Sequence, residues 1–182
     1  MTDSKTPMHY VCTWDEAAEL VKKFAQYWVC NCGCREGKGR CTRSRMDVCL
    51  TFAFEATLTG SDRKQITAVE VGAILDDARE KYLVARPFRD DATRSKVEGI
   101  CFCCDDCCDY FLNPEEICDK GASIEQTDMR RCTHCGDCEP VCYFGARVME
   151  DDILIIDSEK CYGCGLCVAA CPVDCIEMVT RN

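Results

Sequence analysis

RCTHCGDCEPVCYFGARVM, from Arg131, and KCYGCGLCVAACPVDCIEM, from Lys160, are two versions of one unit. Each carries C-x2-C-x2-C-x3-C, at Cys132, Cys135, Cys138 and Cys142 and again at Cys161, Cys164, Cys167 and Cys171. Three thiolates on a tight loop each reach a different iron of one cubane, while the fourth, on a short following helix, points to the neighbouring cluster. The halves are therefore expected to exchange ligands. One 4Fe-4S cluster takes Cys132, Cys135, Cys138 and Cys171; the other takes Cys161, Cys164, Cys167 and Cys142. Gly136, Gly163 and Gly165 let the backbone pass close to the inorganic core.

On these residues the chain resembles the bacterial 2x 4Fe-4S (dicluster) ferredoxin family over residues 124–180. It departs at Tyr143, which stands where the family has Pro after the fourth cysteine; Pro172 keeps that residue in the second half. Cys175 replaces Ala146 of the first half and reads as a small buried filler, not a fifth ligand. The resemblance implies single-electron transfer with no bond chemistry of its own. The run Ile153 to Ile156, flanked by acids, reads as a hairpin strand, and Ile124–Thr127 with Ile176–Val179 as a second small sheet. His134 reads as an exposed residue or a hydrogen-bond donor to the nearer cluster; a Rieske-like role needs two histidines, and only His9 remains.

There are 21 cysteines among 182 residues, and 22 basic against 32 acidic side chains set the formal charge at −10. An odd count, tight spacings and no export signal favour metal ligation over disulfides and a cytoplasmic location. No apolar run is long enough for a membrane span. The expected class is α+β: a helical or mixed Cys-rich metal-binding domain (1–123), then a ferredoxin-like dicluster domain (124–182) with two short hairpins.

In the first part, Thr13 with Glu16 and Thr67 with Glu70 are capping boxes. Apolar spacing predicts helices over 14–29 and 68–83, and alternation from Val48 to Leu58 predicts a strand between them. A strand is also expected to start near Val97. Asn113-Pro114-Glu115-Glu116 has the composition of a helix start, with Gly121 at its end. Cys32, Cys34, Cys41 and Cys49 form the preferred ligand set for a third 4Fe-4S cluster, with structural zinc as the alternative on the same thiolates. Cys101, Cys103, Cys104, Cys107 and Cys108 are too many for one simple site, and adjacent thiols cannot both reach one cubane. They are expected to supply further or shared ligands, with Cys30 the favoured donor across the gap. This extension loosely resembles Cys-rich segments that precede dicluster ferredoxin domains in some proteins of anaerobes. Cys12 and Cys118 stand apart. Arg35, Lys38, Arg40, Arg43 and Arg45 read either as a solvated loop offsetting thiolate charge or as a docking patch for an acidic partner.

The leading expectation is an iron-sulfur electron carrier or subunit serving a partner oxidoreductase, without nucleic acid and with no catalytic residue assigned. Two rivals stand beside it. One is a catalytic subunit of an anaerobic reductase with an unusual cluster at Cys101–Cys108; the other is a ferredoxin with a zinc-stabilised docking domain.

Overall fold

The computed structural model describes residues 6–56, 60–113 and 116–181. In chain order the elements are β1 (His9–Tyr10), α1 (Trp14–Val21), β2 (Tyr27–Cys30), α2 (Gly33–Lys38), β3 (Cys49–Thr51), β4 (Lys64–Ile66), α3 (Ala68–Glu80), β5 (Val84–Arg89) and β6 (Val97–Cys103). They continue with α4 (Asp109–Leu112), β7 (Cys118–Asp119), β8 (Ser123–Thr127), β9 (Arg147–Glu150), β10 (Ile153–Ile156), α5 (Leu166–Ala170) and β11 (Ile176–Thr180). The described residues form a seven-stranded sheet, order β4-β2-β3-β6-β5-β1-β7, and two hairpin-like pairs, β9 with β10 and β8 with β11. The large sheet is antiparallel except where β1 meets β7. No helix among the described residues is long and apolar enough to cross a membrane.

Both capping boxes form, so α1 and α3 start where the threonines place them. α1 is shorter than the apolar spacing predicts. After Val21 the chain tightens into i,i+3 bonds, Lys23 and Phe24 N–H to Leu20 and Val21 C=O (3.1 Å each), and residues expected in its last turns become β2. Tyr, Trp and Val favour a pleated surface. β2 has a partner on both edges, Val29 opposite Leu50 on β3 and Tyr27 opposite Ile66 on β4, and these ladders outweigh a helical continuation. α3 likewise stops at Glu80, short of 83. The strand expected from Val48 shrinks to Cys49–Thr51, and its end at Leu58 lies outside the described residues.

The expected helix between Asn113 and Gly121 is replaced. α4 comes earlier, and Cys118–Asp119 is extended because β1 needs an edge partner: Val11 N–H donates to Asp119 C=O at 3.0 Å. Pro114 and Glu115 lie outside the described residues. Gly121 is required by close approach, since a Cβ there would meet the Val11 carbonyl at 2.7 Å.

α1 and α3 bury Trp14, Ala17, Val71, Ile74 and Ala78 in one core with Val29, Leu50, Ile100 and Phe102 of the sheet. Trp14 Nε1 donates to the buried Leu83 carbonyl at 2.9 Å. This core continues past residue 123: Cys164 and Leu166 belong to it, and Tyr143, Phe144 and Tyr162 pack against it. At that junction Phe144 stacks on Tyr162 with ring centroids 4.5 Å apart, and Tyr110 and Phe111 of α4 meet them edge-on or tilted.

A smaller core, Cys138, Leu154, Cys167, Cys175 and Ile176, lies between the two pairs of strands. The β9–β10 turn rests on Asp151 and Asp152, both left-handed (φ 47° and 63°), which suits the strand twist. Arg147, 2 % exposed, ties β9 to β8 through the Glu125 carboxylate and Thr127 Oγ1 (2.7 Å). Breaking a buried pair leaves an uncompensated charge. Arg147→Met is expected to cost about 3–5 kcal/mol, and the double variant with Glu125→Leu to recover most of it. Urea midpoints of the anaerobic holo-protein measure both; equal loss in the two variants would speak against the pair.

Candidate metal centres

The C-terminal cysteines collect in two enclosed pockets. Cys142 joins Cys161, Cys164 and Cys167 in one, beside Phe144, Tyr162 and Arg147. Cys132, Cys135, Cys138 and Cys171 line the other with Cys175 and Leu154. Left-handed residues make the loops turn, His134 and Gly136 in the first (φ 52° and 83°), Gly163 and Gly165 in the second (81° and 76°). At Gly163 a Cβ would also run into the Ser123 carbonyl, so no other residue fits there. The expected helix carrying the fourth cysteine differs: α5 holds Cys167, Cys171 only caps its end, and Cys142 sits in a turn.

Burial pushes the Cys164 and Cys167 thiols up to about 12, so these sulfurs stay protonated until a cation displaces the proton. His134 Nδ1 accepts the Leu154 N–H at 2.9 Å, which leaves the proton of a neutral ring on Nε2. Cys175 Sγ lies 3.5 Å from Cys171 Sγ inside the small core.

The Cys-rich part divides its thiols differently from the expected set. Cys41 stands with Cys104 (3.6 Å) and Cys107, and Cys104 and Cys107 are 3.5 Å apart. Cys32, Cys34, Cys101, Cys103 and Cys108 instead line a cleft of about 450 Å³ with His9 and Arg86. Cys49 reaches this second group through Cys101 at 3.5 Å. The expected set is thus split, with Cys41 beside Cys104 and Cys107 and with Cys32, Cys34 and Cys49 in the second group. Lys38 at the end of α2 and Arg43 on the loop after it pair with Asp106 (2.8 Å) and Asp105 (2.6 Å), and these long-range ion pairs dock Cys41 onto the 104–107 turn. Adjacent cysteines do part company: Cys103 and Cys108 lie on Arg86 (3.6 and 3.2 Å), Cys104 and Cys107 on the other side. Cys30 is fully buried with its sulfur 3.5 Å from the Cys49 carbonyl, and it is not among the residues lining the cleft.

Hydrogen bonds with Cys34 and Cys49 hold Cys32 at about 4 against burial. Burial and the Arg86 charge lower His9 to about 3, so its ring is neutral. Burial also raises Cys12, and Cys118 to about 11. The basic loop is largely neutralised from within: besides the two pairs above, Arg45 meets Asp47 at 3.2 Å and Arg35 is wholly buried. Lys38, Arg40, Arg43 and Arg45 stay on the surface, and Arg35 alone of the five is withdrawn from it.

Sequence reading missed Arg86 and Arg147 and placed Arg35 in a solvated loop. Arg35, Arg86 and Arg147 are 0 %, 3 % and 2 % exposed, and each stands on cysteine sulfur. A cation inside the apolar strand Val84–Arg89 was the available signal. Burial opposes their charge, yet the neighbouring thiols hold Arg35 and Arg86 above the ordinary arginine value. Arg35 Nε and Arg86 Nε have no hydrogen-bond partner among the described residues. Buried cations beside sulfur donors fit anionic thiolate–metal centres, which supply the missing negative charge.

The sequence pattern of the 4Fe-4S dicluster domain matches residues 131–175. The ferredoxin-like protein in the vnf region of Azotobacter chroococcum mcd 1 is 43 % identical over 56 residues, 28 % of this chain and 86 % of that one. Ferredoxin-2 of Chlorobaculum tepidum is 45 % identical over 54 residues, 26 % of this chain and 87 % of that one. One subunit of the ion-translocating oxidoreductase complex of Methanosarcina acetivorans is 40 % identical over 60 residues, 33 % of this chain and 23 % of that one. Through its C-terminal repeat the chain belongs to the 4Fe-4S dicluster ferredoxin family.

Proposed function

We propose that this iron-sulfur electron-transfer protein moves single electrons to or from a partner oxidoreductase, using two 4Fe-4S clusters held by residues 124–182 and a third iron-sulfur centre held by residues 1–123. The grouping of each loop's three cysteines with the fourth from the other half carries the reading: Cys132, Cys135 and Cys138 with Cys171, and Cys161, Cys164 and Cys167 with Cys142. A 4Fe-4S cluster, when bound, takes up or releases one electron at a potential set by charge, hydrogen bonds to sulfur and solvent exposure. The chain supplies those terms. Arg147 Nη1 donates to Cys138 Sγ at 3.4 Å, and the His134 N–H to Cys132 Sγ at 3.4 Å. Phe144, Tyr162, Leu154 and Ile176 line the pockets and keep water away.

For the third centre the ligands come from Cys32, Cys34, Cys49, Cys101, Cys103 and Cys108, with Arg86 offsetting their charge. A second reading, a catalytic cluster at the same cleft, is favoured by one observation: these thiols exceed the needs of one cubane and border an open space of about 450 Å³. The relative from Methanosarcina is part of a complex, and a complex is the proposed setting here too.

Iron and acid-labile sulfide on protein purified without oxygen are expected near 12 each per chain, falling to about 8 in a Cys34→Ala/Cys103→Ala variant that keeps the dicluster EPR signal. About 8 in the wild type would remove the third centre. With a formal charge of −10, electron transfer to a basic acceptor protein is expected to slow by about tenfold or more from low to high ionic strength. A flat profile in stopped-flow traces would rule out steering.

A further inference from the structure

Among the described residues, Cys41, Cys104 and Cys107 are the only three potential metal donors whose ligand atoms all lie within 4.8 Å of one another. The cysteines of the two ferredoxin pockets make no such triple, as expected of sulfurs that each bind a different iron. A single tetrahedral zinc with sulfurs at about 2.3 Å holds them about 3.8 Å apart. The observed 3.5 and 3.6 Å separations match that edge. We propose that Cys41, Cys104 and Cys107 bind one zinc ion, a site separate from every iron-sulfur centre of this chain.

The surroundings are built for it. Cys104 and Cys107 are buried and form a C-x2-C turn, in which the Asp106 N–H points at the Cys104 sulfur. The N–H groups of Arg43 and Ser44 do the same for Cys41. Behind the sulfurs, Arg35 donates to the Arg45 carbonyl (2.6 Å), the Phe102 carbonyl (3.0 Å) and the Cys107 sulfur. Binding releases three thiol protons and leaves a zinc trithiolate of charge −1, which the Arg35 guanidinium balances. Cys41 is only half-buried, so water from its side fills the fourth position. The ion would lock the 39–48 loop to the 104–107 turn, where Lys38–Asp106 and Arg43–Asp105 already hold the rim.

The site does not depend on the third cluster in the adjoining cleft, and the test separates them. Metal analysis of the anaerobic full-length holo-protein is expected to give about one zinc per chain, with zinc-edge X-ray absorption showing three sulfurs at about 2.3 Å. Cys41→Ser and Cys104→Ser should each lose most of the zinc while iron and sulfide keep their wild-type ratio. Cys34→Ala should do the reverse. Wild-type protein that stays zinc-free after anaerobic incubation with zinc and desalting would overturn the proposal. So would loss of about four irons in the Cys41→Ser variant, which would make these thiols cluster ligands. Because the absorption measurement uses the wild type, a variant that fails to fold does not protect the idea.

Discussion

Placing a guanidinium out of reach of water is costly unless an anion stands beside it. Among the described residues this happens three times, and each time the neighbour is sulfur: Arg35 at Cys107, Arg86 at Cys103 and Cys108, Arg147 at Cys138. Each arginine also fastens secondary structure. Arg147 joins β8 to β9, Arg35 joins the loop after α2 to the end of β6, and Arg86 lies across the Tyr110 ring at 4.1 Å. Fold and metal chemistry therefore share the same charges. Removing the thiolate side of the balance would strain elements well away from any ligand.

The way β6 ends explains the crowding of cysteines. An extended strand sends successive side chains to opposite faces. The chain leaves it at Cys103 and turns back through Asp105 and Asp106, so Cys103 and Cys108 face Arg86 while Cys104 and Cys107 face Cys41. One short segment thus forms a wall between two groups of thiols.

What could be read beforehand was local. The cysteine spacing of the last quarter, the threonine–glutamate boxes and the paired strands at Ile124 and Ile176 all depend on residues close in sequence or on a repeat that encodes its own partner. What escaped was set at a distance. Nothing near Val21 announces that Tyr27–Cys30 will find ladder partners on both sides, and Cys41 finds Cys104 through ion pairs spanning more than sixty residues. The buried arginines were hidden for the same reason, since their anions come from other elements.

The aromatic junction of Tyr110, Phe111, Tyr143, Phe144 and Tyr162 bears on how far the familiar ferredoxin unit is still self-contained. Here Tyr143, Phe144 and Tyr162 sit under Tyr110 and Phe111 of α4 and against the main core. Separated from α4, they would lose that cover. A fragment cut at residue 123 would carry a bare aromatic face, a surface that promotes self-association. The C-terminal quarter has the motif of an independent carrier but the underside of a permanently docked part.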